Sequence, residues 1–161
     1  MRLLFEKMIT TTPALFNALA AIPVLAGTDL AAQTLLAQEG LVHDFAPGAW
    51  IVREGDEGHS LFILVEGEVE VIKRAGSPHE VTLATLPRGT FFGEMCVVDP
   101  VPRAASVRAL SPVRVIEIKA ATLHHLYQKM PGQYAIVLLN VARDMARRLR
   151  VLDEAFAARA S

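Results

Sequence analysis

Hydrophobic and polar positions follow three successive patterns along the chain. Residues 1–40 carry helical spacing. Thr12 offers an N-cap with Pro13 at the first helical position, and a helix is expected over 14–22 that Pro23 interrupts. Thr28 is expected to cap a second helix through Leu30, Leu35 and Leu36 to Glu39, with Gly40 as its C′ residue. Residues 41–119 switch to short β-rich runs at 41–45, 50–53, 60–65, 68–73, 81–86, 105–109 and 113–118. Turn residues separate them, among them Pro47-Gly48, Gly55-Asp56-Glu57-Gly58, Glu66-Gly67 and Ser111-Pro112. Many short strands with regular turn signals predict a β-barrel or jelly roll. Leu61–Val65 is continuously apolar and is expected to be covered on both faces, whereas Glu68-Val69-Glu70-Val71 alternates as a half-exposed strand does.

Residues 120–161 return to helical spacing, with a helix at about 121–129 and a longer one from Pro131. Along the longer helix Tyr134, Leu138, Val141, Met145, Leu149, Leu152 and Phe156 step by threes and fours. That is a seam of about three heptads, enough for a homodimer through the C-terminal helix. The plainer alternative is a helix packed on its own barrel. The expected organisation is a single mainly β domain over 1–161: N-terminal helices (1–40), a barrel (41–119) and two C-terminal helices (120–161).

Composition narrows the function. Lys and Arg number 16 against 17 Asp and Glu, a net charge of −1, so the strongly basic balance of a polyanion binder is missing. One cysteine forbids an intrachain disulfide and any multi-cysteine zinc site. No apolar run reaches the roughly 18 residues of a membrane span. The start of the chain lacks the apolar core of about 7–15 residues that a signal peptide needs. The expected location is therefore the cytoplasm. A mean hydropathy of +0.35 points to an apolar surface that meets a partner or a second copy.

The segment Phe91-Phe92-Gly93-Glu94-Met95-Cys96-Val97-Val98, followed by Pro102-Arg103-Ala104-Ala105-Ser106-Val107, carries the chemistry. Gly93 lets backbone approach a ligand closely. A short helical turn after it would point free N–H groups at an anion. Nine residues after Glu94, Arg103 supplies a planar, permanently charged fork suited to phosphate. Glu94 can accept from a ribose or another diol. A carboxylate and a guanidinium converging in an apolar barrel describe a site for a small, sugar-bearing phosphate.

This segment resembles the phosphate-binding cassette of the cyclic nucleotide-binding domain family. That family includes ligand-binding domains of the catabolite activator protein, protein kinase A regulatory subunits and cyclic-nucleotide-gated channels. The pattern F-G-E-[LM] is matched by Phe92-Gly93-Glu94-Met95, and P-R-A-A-[TS]-V by residues 102–107, so the cassette spans 92–107. Gly48, Gly55, Gly58, Gly67 and Gly89 fit the family's glycine pattern, and Arg53-Glu54-Gly55-Asp56 looks like its turn after the second strand. The resemblance covers about residues 14–157. It implies that Glu94 accepts the ribose 2′-OH, that Arg103 pairs with the exocyclic phosphate oxygens, and that Gly93 permits close approach of the ribose. Backbone N–H groups around Cys96 and Ala104, with Met95 and Ala105 beside them, would complete the cradle. Cys96 stands where the family usually has Ala. Ala104 stands where members that favour cGMP often place Thr, which tilts the expected ligand to cAMP.

Other constellations are weaker. His43, His59, His79, His124 and His125 contain no His-x-His pair, so a metal-binding cupin barrel is not supported. Neither a Gly-x-Ser-x-Gly motif nor a P-loop occurs, and nothing argues for catalysis. Arg143, Arg147 and Arg150 form a stripe that reads more readily as a solvated face, with Asp144, Asp153 and Glu154 as partners, than as a nucleic-acid surface. The family's transcription factors add a helix-turn-helix domain after the long helix. The sequence ends at Ser161, so no DNA-reading element is expected. The sequence thus implies a stand-alone cyclic nucleotide-binding regulatory module whose C-terminal helices move as a lid, with Arg148 and Leu149 as candidates to cap the base. The alternative is a ligand-free dimerisation scaffold of the same fold, in which Glu94 and Arg103 form a structural salt bridge.

Overall fold

The computed structural model describes residues 19–159. The Thr12-Pro13 start of the first expected helix lies outside them. From Leu19 the chain runs through a 3-10 turn at Pro23–Leu25 into helix α1, Leu30–Glu39. The cap of α1 is Asp29 rather than Thr28: the Asp29 carboxylate accepts from the Ala32 N–H at 2.8 Å. The Thr28 hydroxyl is spent on the preceding turn, donating to the Leu25 carbonyl at 2.6 Å. Gly40 ends α1 at φ −66, outside the left-handed region expected of a C′ glycine. Its small size is used differently. A Cβ there would stand 2.7 Å from Ile116 Cγ2 and 2.8 Å from the Leu36 carbonyl, so glycine lets α1 turn tightly onto the sheet.

Strands β1 (Leu41–Phe45), β2 (Trp50–Val52), β3 (Ser60–Glu66), β4 (Glu68–Lys73), β5 (Val81–Pro87), β6 (Phe91–Phe92), β7 (Ser106–Ala109) and β8 (Val113–Lys119) follow. They form two four-stranded sheets, ordered β1-β8-β3-β6 and β2-β7-β4-β5. Every pairing is antiparallel, with β1 on β8, β2 on β7, β3 on β6 and β4 on β5. These four nested pairs make one long hairpin of eight strands rolled onto itself, a jelly roll. Helix α2 (Met95–Val98) lies between β6 and β7, and α3 (Ala120–Lys129) and α4 (Pro131–Arg159) follow β8.

Strands β3 and β8 divide the apolar interior in two by the alternation of a pleated strand. Phe62, Leu64, Val113 and Val115 face the opposite sheet, together with Val69, Phe92 and Val107. Leu61, Ile63, Ile116 and Ile118 face the helices, against Leu36, Leu123, Leu126, Val137 and Val141. Residues 60–64 are therefore buried throughout, as the unbroken apolar run indicates. Strand β6 was not visible in the sequence because it is two residues long, yet it repeats the division: Phe91 packs on the helix side and Phe92 on the barrel side.

Gly40→Ala is expected to cost about 1–3 kcal/mol by overpacking α1 against Ile116. At about 2–4 °C per kcal/mol for a chain of this size, the melting temperature should fall by several degrees. A thermal melt of the variant beside the parent checks this.

Candidate functional site

Between β6 and β7 the chain builds a compact polar site on an apolar floor. Gly93 follows β6 at φ +79, in the left-handed region that favours glycine. A Cβ there would stand 2.6 Å from Arg103 Nη1, so the glycine also makes room for the guanidinium. Glu94 comes next at the N-cap position of α2, a single turn from Met95 to Val98 that also holds Cys96.

Arg103 is 7% exposed. Its Nη1 donates to the Ser60 carbonyl at 2.8 Å and to the Gly93 carbonyl at 3.2 Å. The guanidinium lies 5.4 Å from the Phe62 ring centre, and Phe62 stacks on Phe92 at 5.3 Å. Arg103 takes part in none of the ion pairs among the described residues. Its Nε and Nη2 make no hydrogen bond to another described residue, which leaves one edge of the fork for an anion.

Glu94, 5% exposed, pairs with Arg148 instead. Arg148 reaches down from α4. Its Nη1 is 3.1 Å from Glu94 Oε1, its Nη2 donates to the Phe91 carbonyl at 2.9 Å, and its charge lies 5.5 Å from the Phe91 ring centre. Its Nε stands 2.6 Å from Asp144 Oδ2, without the alignment of a hydrogen bond. The Glu94–Arg103 ion pair of the scaffold alternative is therefore not formed.

A cavity of about 110 Å³ sits between these groups. Gly93, Glu94, Met95, Arg103, Ala104, Ala105 and Arg148 all line it. Leu149 does not; it is exposed on another face of α4, as the step of about 100° per helical residue requires. Phe92 and Val107 of the cassette form apolar walls, and the sequence reading missed the other two, Val52 and Val71. Val52 and Val71 come from β2 and β4, and only their place in the strands marks them.

It also missed the clamp that holds the cassette's far end. The Arg103 backbone N–H donates to the Asp56 carbonyl at 2.8 Å, and its carbonyl accepts from the Gly55 N–H at 2.9 Å. Lys73 Nζ donates to the Ala104 carbonyl at 2.6 Å and pairs with Glu54 at 2.6 Å. The Lys73 hydrogen bond, then the Arg74 N–H, hold the Glu54 carboxyl below its ordinary range. The Glu54 N–H donates to Ser106 Oγ at 2.9 Å. The turn after β2 thus fixes both ends of the segment that presents Arg103.

Among the described residues no group of His, Cys, Asp and Glu could hold a metal ion, and no helix is long and apolar enough to cross a membrane. Of the arginine stripe, Arg147 pairs with Asp144 at 3.3 Å and Arg143 donates to Asn140 Oδ1 at 3.4 Å.

This arrangement can be set beside known proteins. The cAMP-dependent protein kinase regulatory subunit of Hypocrea atroviridis is 30% identical over 131 residues, covering 81% of this chain and 27% of that protein. The CRP-like cAMP-activated global transcriptional regulator of Mycobacterium tuberculosis is 30% identical over 132 residues, covering 82% of this chain and 57% of that protein. The crystal structure of the Thermus thermophilus catabolite activator protein aligns with a TM-score of 0.73 at 27% identity, over 86% of this chain and 63% of that one. The chain spans between about a quarter and just over half the length of the two curated relatives. The model of the cyclic nucleotide-binding domain matches residues 42–130, a stretch that holds both Glu94 and Arg103, and the chain belongs to that family.

Proposed function

We propose that this chain is a cytoplasmic, cAMP-binding regulatory module that signals through its C-terminal helices, a binding domain rather than a catalyst. The observation that carries the reading is Arg103: a buried cation with no carboxylate partner among the described residues and an unused edge facing a small cavity. Burying an uncompensated charge is costly, and a cyclic phosphate is the anion whose geometry the fork, the Gly93 approach and the neighbouring Glu94 suit together. Ala104 in place of a threonine removes a hydroxyl that a guanine amino group would meet, and this favours cAMP over cGMP. The similarity to cAMP-dependent and cAMP-activated regulators supports the same choice.

The signalling half of the reading rests on Arg148. Ligand pockets usually measure about 300–1,000 Å³, and this cavity is far smaller, about 110 Å³. A cyclic nucleotide therefore needs Arg148 to release part of its hold on Glu94 and Phe91, or the cassette to move. Either change passes to α4. Beyond the barrel α4 exposes Leu149, Leu152 and Phe156, an apolar stripe suited to a second copy or to an effector protein.

Calorimetric titration of protein cleared of co-purified nucleotide should show micromolar or tighter binding of cAMP and weaker binding of cGMP. Arg103→Ala should cost about 2–5 kcal/mol of that affinity. Silence with both nucleotides in folded protein would overturn the proposal in favour of the ligand-free scaffold. Arg148→Ala should leave the fold intact and increase protease access to α4 in the free protein. Protection identical to the parent, with and without cAMP, would remove Arg148 from the coupling. In sedimentation, Leu149→Ala, Leu152→Ala and Phe156→Ala should each weaken a homodimer, and unchanged mass in all three would exclude the α4 seam as its interface.

A further inference from the structure

A polar chain runs behind Arg103 across three strands. Its first member is Ser60, the opening residue of β3, whose carbonyl accepts from Arg103 Nη1 at 2.8 Å. The Ser60 hydroxyl donates to Glu117 Oε1 at 2.5 Å. The other Glu117 oxygen, Oε2, lies 2.8 Å from His43 Nε2 on β1. Glu117 stands on β8 directly opposite Phe62, the residue whose ring underlies the guanidinium.

Glu117 is out of place by the logic of its strand. Val113 and Val115 fill the barrel from the same face of β8, and a third apolar residue would continue the row. The chain instead puts a carboxyl there with its side chain only 17% exposed. Burial pushes this carboxyl up, but the hydrogen bonds from Ser60 and His43 outweigh burial and hold it below its ordinary value. It is therefore ionised at neutral pH, and the Ser60 hydroxyl is committed to it as a charge-assisted donor. That bond adds a side-chain tether to Ser60 where β3 begins, beside its pairing with Lys119 on β8.

We propose that Ser60 and Glu117 are positioning residues for phosphate recognition, fixing the carbonyl that aims the Arg103 guanidinium. This inference rests on the cyclic nucleotide reading above. The geometry gives the Arg103 guanidinium few other anchors: the Gly93 carbonyl, one aromatic face and no ion pair among the described residues. Releasing the Ser60 end lets the fork rotate about the Gly93 carbonyl, so the exposed edge no longer meets both exocyclic oxygens together.

The test uses cAMP and its two phosphorothioate diastereomers, in each of which sulfur replaces one exocyclic oxygen. The ratio of their affinities reports which oxygen the guanidinium meets. Ser60→Ala should weaken cAMP binding about 3- to 10-fold, the range of one hydrogen bond, and change the diastereomer ratio, in protein that stays folded though it melts a few degrees lower. Ser60→Thr, which keeps the hydroxyl, should restore both. Glu117→Leu, which extends the apolar row but leaves the Ser60 hydroxyl without its acceptor, should lower affinity and shift the ratio in protein that stays folded. Affinity and ratio equal to the parent in folded Ser60→Ala and Glu117→Leu would overturn the inference and leave the functional reading standing. So would a loss of stability and affinity together at a constant ratio, since that marks an ordinary structural role. A parent protein that binds no cyclic nucleotide would overturn both.

Discussion

The organising constraint of this structure is a guanidinium held inside a barrel without a counter-ion among the described residues. Stripping the charge of Arg103 from water costs several kcal/mol unless other groups replace the solvent. Here the replacement is assembled from distant pieces of chain. Two carbonyls come from β3 and from the residue after β6, and an aromatic face comes from Phe62. The Arg103 backbone is held by the turn after β2. None of these groups is an anion, so Arg103 is restrained but not neutralised. A Glu–Arg pair at this place would have satisfied the charge and closed the site. Glu94 is turned the other way, toward α4.

That choice makes β6 the pivot of the molecule. Its two residues face opposite cores. Phe92 joins the stack with Phe62 that underlies Arg103, and Phe91 lies under Arg148 while its carbonyl accepts from the same side chain. One arginine therefore reads the barrel side of this short strand and the other reads the helix side. A shift of the Phe91–Glu94 backbone is felt by both, because interiors are packed too closely for one side to relax alone.

Most of the architecture was legible from the chain because period and punctuation agreed. Seven of the strands lie within one or two residues of the runs that turn chemistry separates, and Pro131 opens α4 as a helix-starting proline should. Cassette residues Gly93, Glu94, Met95, Arg103, Ala104 and Ala105 do meet at one cavity. What the sequence hid has specific causes. Two-residue β6 is too short for any periodicity. Cap choice between Thr28 and Asp29 depended on which side chain the preceding turn consumed. Glu54, Lys73, Ser60 and Glu117 come to the cassette only through sheet pairing, and their spacing along the chain carries no trace of it. Arg148 and Leu149 were indistinguishable as lid candidates until the helix phase was known. The seam on α4 divides as well: Val141 is buried against the domain, while Leu149, Leu152 and Phe156 are exposed beyond it.

The strength of the Arg148 contacts bounds what a ligand can do. Arg148 is 38% exposed, so its ion pair with Glu94 is partly screened and contributes at most about 1 kcal/mol. The hydrogen bond to the Phe91 carbonyl adds about 1 kcal/mol more. A latch of about 2 kcal/mol leaves Arg148 released from Glu94 and Phe91 in a minority of a few per cent, while Val137 and Val141 keep the first half of α4 packed on the domain. A ligand that bound equally well to the docked and undocked forms would shift nothing, however tight its binding. Under the proposed function, the difference arises where ligand and helix compete for the same atoms, at Glu94. Its carboxylate is the acceptor a ribose hydroxyl would use, and one of its oxygens is already engaged by Arg148. Under the proposed function, sensing and output are joined through this single buried side chain, and the weakness of the latch lets a small ligand free Arg148 and the part of α4 that carries it.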